Sequence, residues 1–285
     1  MKPPPFKYAR PESLDEVLGI LSEYGDKARV LAGGQSLIPL LNFRLARPAV
    51  LVDIVLVTEL RRLVVERGML RVGAAVTQNA VERSSEVARF CPLLKKALPF
   101  VGHLQNRMRG TVAGSIAHAD PAAEMPAVAL ALGATMVVRS ATGVRQIPAD
   151  RFFLGPFTTA LAQDEILMEV RFPASKKTRA AVAEVAPRSG DFAIAGVAGE
   201  LVTTRAGKVR DVSLALFGVG GSPQRLGEVE ARLEGQRVTG DLLDQVAALT
   251  RRTARADSED VHADAAYRAR VSGELVRRAL VEMTR

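Results

Sequence analysis

The stretch "RGTVAGSIAHADPAAE", residues 109–124, decides how this chain is read. Small residues at Gly110, Ala113, Gly114, Ser115, Ala117 and Ala119 permit close backbone approach, and Thr111, Ser115 and His118 place short polar groups between them. This composition predicts a turn that cradles a phosphate-bearing ligand, in preference to a core segment. A second stretch, "LAGGQSL" at residues 31–37, ends a short apolar run in paired glycines followed by Gln35 and Ser36. Neither stretch is G-x-G-x-x-G, and no Gly-Lys-Ser/Thr follows, so the dinucleotide fingerprint and the P-loop are both absent. A phosphate held here depends on backbone amides and hydroxyls, which suits the pyrophosphate of a large cofactor.

Working outward, "SLDEVLGILSEYG" predicts an amphipathic helix: Ser13 with Glu16 forms a capping box, Leu14, Val17, Leu18 and Leu21 share a face, and Gly25 ends it. "SLIPLLNFRLARP" reads as a short helix broken at Pro39, and "AVLVDI" as a buried strand. Together they form a β-α-β-type lobe of residues about 1–57. A second lobe, 58–177, opens with a hairpin around Arg67-Gly68, has Thr77 capping a helix, and carries "EMPAVALALGA" as a packed helix ending at Gly133. Asp120, before Pro121, reads as the cap of that helix. The polar "ASKKTRA" marks a boundary, leaving 178–285 as an α+β domain of three strands and about three helices. In its last helix Leu275, Val276, Ala279, Leu280 and Met283 share one face, with Arg268, Arg270, Arg277 and Arg278 on others.

Composition removes several function classes. The 285 residues carry a net charge of +8, yet the Arg residues are scattered and Trp is absent, so no basic stripe or base-stacking platform for nucleic acid is visible. Cys91 is the single cysteine, which excludes an internal disulfide and a self-contained iron–sulfur cluster and points to a cytoplasmic setting. No apolar run has the length of a membrane span. His103, His118 and His262 are too sparse for a metal centre, even with Asp120 and Glu124 beside one of them. Ser36 and Ser115 lack a nucleophile elbow.

In order and spacing, "FKYARPESLDEVLGIL", "VLAGGQSLIPLLNFR", "LRVGAAVT", "RGTVAGSIAHADPAAEMPA", "FFLGPFTTALAQDEIL", "RSGDFAIAGVA" and "AYRARVSGELVRRAL" resemble the flavin-binding subunits of the molybdenum hydroxylase family. The resemblance spans nearly the whole chain. It implies an α+β protein with a two-lobe vanillyl-alcohol-oxidase-type FAD domain over 1–177 and a C-terminal α+β domain with a three-stranded antiparallel sheet over 178–285. Carried over by position, Ala32, Gly33, Gly34, Gln35 and Ser36 contact the FAD pyrophosphate from one lobe, and Thr111, Val112, Ala113, Gly114 and Ser115 from the other. His118, Glu124 on the ribityl or adenosine side, and Leu161 beside the ring system complete the set. No side chain of this chain is assigned a catalytic or metal-binding role.

The resemblance further implies an electron-transfer subunit that takes electrons from [2Fe-2S] clusters on a small partner chain, with a molybdenum cofactor on a large partner chain, in a dimer of heterotrimers. Two other readings stand beside it: a free-standing FAD oxidoreductase with its own substrate pocket, and a flavin-free scaffold subunit. The chain departs from the family pattern at Ala113, where Gly is usual, and at Met108, where Asn is common. It also lacks a lysine before "RSGDFA" that some members place near the flavin ring. The methyl of Ala113 is tolerated only at negative φ.

Overall fold

The computed structural model describes residues 2–175, 178–257 and 260–285. Lys176 and Lys177 of the expected "ASKKTRA" boundary lie outside the described residues. The first unit contains β1 (Lys7–Ala9), α1 (Leu14–Tyr24), β2 (Ala28–Leu31), α2 (Leu37–Asn42) and β3 (Val50–Asp53). Its strands form a parallel sheet in the order β1-β3-β2. Ser13 Oγ accepts the amide of Glu16 at 3.3 Å, α1 buries Leu14, Val17, Leu18 and Leu21, and Gly25 ends it at φ +53°. The capping box is offset: the Glu16 carboxylate accepts from the Glu12 amide at 3.1 Å, one residue before the cap. α2 is not broken at Pro39. The proline sits in the first turn, where its missing N–H has no intrahelical acceptor to lose.

The second unit begins with the hairpin β4 (Leu63–Glu66) and β5 (Met69–Gly73). Arg67 at φ +50° and Gly68 at φ +74° make the two-residue connection, both in the left-handed region that a type I′ turn requires. A helical run follows: α3 (Gln78–Arg83), α4 (Ser85–Phe90), α5 (Pro92–Ala97), α6 (Leu104–Arg109), α7 (Val112–His118) and α8 (Glu124–Ala131). Next come β6 (Thr135–Ser140), β7 (Gly143–Pro148), α9 (Ala149–Phe152), the small hairpin β8 (Phe153–Gly155) and β9 (Thr158–Thr159), and β10 (Ile166–Pro173). The sheet is antiparallel, in the order β4-β5-β10-β6-β7. A bulge in β10 between Leu167 and Glu169 shifts its register on β6.

The third unit is an antiparallel sheet of β11 (Arg179–Val185), β12 (Ala195–Thr203), β13 (Val209–Phe217) and the two-residue β14 (Gln224–Arg225), backed by α10 (Gly227–Leu233), α11 (Gly240–Thr253) and α12 (Ala265–Thr284). It has a fourth strand beyond the three expected. β14 is too short to show alternation in sequence.

Every residue of α8 is buried, because the helix packs on α5 and α7 in its own unit and on β12 and β13 of the third. That explains why "EMPAVALALGA" shows no polar face. The core reflects the same arrangement: one cluster runs through the first two units and takes in Ala180, Val182, Ala198 and Phe217 of the third, while a second cluster lies under α10, α11 and α12.

Two expectations about the motifs are corrected. Residues 112–118 form the helix α7, not an open turn; Thr111 is its cap, accepting the Gly114 amide on Oγ1 at 2.9 Å. Asp120 does not cap α8. Its Oδ1 accepts the Ala122 amide at 2.9 Å within the preceding turn, and α8 starts after Ala123 with no side-chain cap. A third correction concerns α12: Arg268 is 3% exposed, on the buried face with Ser272, Leu275 and Ala279. The spacing 268, 272, 275, 279 is that of one helical stripe, and a charge in it is legible only once its partners are known.

Candidate cofactor site

The two glycine stretches meet. A Cβ on Gly33 would lie 2.3 Å from the carbonyl oxygen of Arg109 and 2.5 Å from Gly110 Cα, so glycine at 33 is what lets the first unit's loop touch the backbone entering α7. Gln35 spans the same junction. Its Nε2 donates to Gly33 O at 3.1 Å, and its Oε1 accepts from Asn106 Nδ2 on α6 at 3.1 Å. α6 is fixed in turn by Arg107, which pairs with Glu82 on α3 at 2.8 Å.

A cavity of about 1200 Å³ opens beside this junction, between the first two units and the third. All the residues assigned to the cofactor from sequence line it except Gly34 and Val112. Val112 has its side chain in the core at 0% exposure. Gly34 holds the turn at φ +74°, where a Cβ would also press on Ile38 and Leu31 at 3.1 and 3.2 Å. Ala113 has no positive φ, being the second residue of α7, and is buried, so its extra methyl is accommodated. Met108 is 59% exposed and does not line the cavity.

The space is larger than the roughly 300–1,000 Å³ of ordinary small-molecule sites, as a dinucleotide needs. Its donor chemistry also fits. The first amides of a helix have no intrahelical acceptor; Thr111 occupies that of Gly114, which leaves that of Ala113 at the α7 start, with Ser36 and Ser115 on the lining to supply hydroxyls. Leu161, Ile166 and Leu167 supply an apolar wall. Leu161 also anchors its turn, its amide bonding Thr159 Oγ1 at 3.4 Å.

Glu124 is the site's unusual group. It is 6% exposed, and burial pushes its carboxyl up to about 8, with repulsion from Glu184 and Asp120 adding to the effect. At neutral pH it is a carboxylic acid, able to donate as well as accept a hydrogen bond. Glu184, on β11, is pushed up to about 7 by burial. His118 is held below its usual value by burial, against the pull of Asp120, so it lines the cavity as a neutral ring 5.1 Å from the ring of Phe157.

Sequence reasoning missed the third unit's share of the site. The loop 186–194, between β11 and β12, brings Arg188, Gly190, Asp191 and Phe192 onto the cavity, and α12 brings Arg268. Phe157 was missed as well. It lines the cavity at φ +53°, with its amide on Ala119 O at 3.0 Å. "RSGDFA" was visible as a motif, but no local property of it shows that it reaches across to the second unit.

A cavity of this size, with a glycine-bearing loop from each of two units at its edge, is the geometry of a site for a large, phosphate-bearing cofactor. The family model described as the FAD binding domain in molybdopterin dehydrogenase matches residues 4–175, and that of the CO dehydrogenase flavoprotein C-terminal domain matches 180–283. The chain belongs to this family: it is an FAD-binding, medium-type subunit of a multi-subunit molybdenum hydroxylase, an oxidoreductase. It is 43% identical to the caffeine dehydrogenase subunit beta of Pseudomonas sp. (strain CBB1), over 85% of this chain and 82% of that one. It is 37% identical to the nicotine 6-hydroxylase medium subunit of Paenarthrobacter nicotinovorans, over 99% and 98%. Among solved structures, carbon monoxide dehydrogenase from Hydrogenophaga pseudoflava superposes with a TM-score of 0.95 at 35% identity, covering 99% of this chain and 98% of that one.

Among the described residues no helix is long and apolar enough to cross a membrane.

Proposed function

We propose that the FAD pyrophosphate lies between Ala32–Ser36 and Thr111–Ser115, one jaw from each lobe of a domain spanning 1–177, with 178–285 closing the cavity. The observation that carries this is the backbone apposition of Gly33 and Arg109 at the cavity edge. When bound, FAD supplies the redox centre that takes electrons from the [2Fe-2S] clusters of a small partner chain and passes them to an external acceptor. The chain's own residues bind and orient it. Ala113 contributes a backbone amide at the start of α7, Ser36 and Ser115 hydroxyls, and Glu124 a neutral carboxyl toward the ribityl or ribose hydroxyls. His118 stands along the same wall, and Leu161 packs beside the ring system.

The substrate is oxidised at a molybdenum cofactor on a large partner chain, and the assembly is a cytoplasmic dimer of heterotrimers. The burial of Cys91 supports this division of labour, because no thiolate of this chain is free to hold iron. Purification of the chain with and without its native neighbours, followed by assay of released flavin, iron and molybdenum, tests the assignment. Flavin accompanies this chain in both preparations, and iron and molybdenum appear only when the neighbours are present. A protein that stays colourless after incubation with FAD overturns it.

A further inference from the structure

The buried guanidinium of Arg268 joins segments that line three sides of the cavity. Its Nη1 donates to Ile194 O at 2.5 Å and to Gly218 O at 2.6 Å. Its Nη2 pairs with Asp260 Oδ2 at 2.7 Å, and Asp260 is itself oriented by the amides of His262 and Ala263. Gly218 extends the chain of bonds into the second unit, its amide donating to Pro121 O at 2.8 Å, in the turn that leads to Glu124. Gly218 has φ +74°, and a Cβ there would lie 2.9 Å from both Ala193 O and Ile194 O, so this meeting point of three segments has no spare room.

What the guanidinium holds is the base of the loop 186–194. At its far end the loop crosses to the second unit, where a Cβ on Gly190 would lie 2.5 Å from His103 Cε1. Between these two anchors Phe192 stands 69% exposed on the cavity lining, with few contacts of its own to hold it. The stem is held as well by the Ile194 amide on Val185 O at 2.7 Å and by the buried Ala193, and Arg268 ties that stem to Gly218 and Asp260. The two carbonyls bond one guanidinium nitrogen and the carboxylate pairs with the other, so the contacts are spread over two nitrogens held in one plane, where an ammonium has a single nitrogen.

We propose that Arg268 is a positioning residue that fixes the loop 186–194, and with it Phe192, across the open side of the cofactor cavity. It acts through Ile194 and Gly218. The consequence for flavin rests on the site assignment above; the consequence for the loop does not.

The test uses the full-length chain with Arg268→Met and Arg268→Lys, and Arg278→Met as the control, since Arg278 lies exposed on the same helix. Hydrogen exchange without flavin is expected to rise at least tenfold across 187–193 in Arg268→Met and less in Arg268→Lys. Segments 28–43 and 112–130 keep wild-type rates, and the control is unchanged throughout. With FAD added, both variants bind it about tenfold more weakly and alter its visible circular dichroism. Unchanged loop exchange in both variants overturns the proposal, as does a rise spread evenly over the whole chain in the lysine variant. A wild-type chain that takes up no FAD overturns the site assignment, and the exchange result still decides the role of Arg268.

Discussion

Gly33 and Arg109 lie in backbone contact, with room for no more than a hydrogen at position 33: a Cβ would fall 2.3 Å from the Arg109 carbonyl oxygen. This contact places the second jaw of the cavity against the first. Gly33→Ala must therefore move one backbone away from the other. The variant is expected to lose about 1–3 kcal/mol of stability and most of its FAD affinity, measured by thermal unfolding and by titration of the FAD-free chain.

Thr111 carries a separable share of the site. Its hydroxyl takes the Gly114 amide at 2.9 Å, and Thr111→Val removes that acceptor at similar volume. Loss of such a cap costs about 0.5–2 kcal/mol. Because α7 starts at the cavity, FAD should dissociate faster from this variant. A comparison of its unfolding midpoint with and without FAD separates the two effects.

Glu124 makes the stability of the FAD-free chain depend on pH. The unfolded carboxyl ionises near its ordinary 4.5, and the folded one holds its proton to about 8. Between those values the native state binds more protons, so the contribution is complete below the window and is lost as pH rises through it, by at most about 1.4 kcal/mol per unit. Glu184, pushed up to about 7, acts in the same direction. Denaturant unfolding should show the wild type losing stability from about pH 5 to 8 relative to Glu124→Gln, whose neutral side chain removes the titration.

Cys91 is 1% exposed, and burial pushes its thiol up to about 12. A neutral, inaccessible thiol does not react with disulfide reagents. Native protein should give no labelling on the timescale on which denatured protein gives one equivalent.

Much of the framework was legible in local chemistry. The α1 face, the Arg67-Gly68 turn and the Thr77 cap each depend on neighbours within a few residues, and each stands as read. The glycine stretches were legible as places of close approach, though not as what approaches them; at Gly33 it is the Arg109 backbone. Small residues conceal a helix as easily as they suggest a turn, which is why α7 was missed. Asp120 next to Pro121 resembles a cap, but a two-residue turn competes for the same carboxylate and wins. Arg268 and the loop 186–194 were not legible as site elements. Their roles come from contacts with residues far away in the chain, such as Gly218 and His103.

Whether one FAD is held between the two glycine stretches is read from the FAD released per chain from wild type and from Gly114→Val. A Cβ at 114 would lie 2.7 Å from Thr111 Oγ1 on the cavity lining, so a branched side chain there displaces the α7 cap and enters the pyrophosphate site. Stoichiometric FAD is expected from wild type and almost none from the variant, at unchanged helical content. Full FAD occupancy in Gly114→Val would contradict that placement.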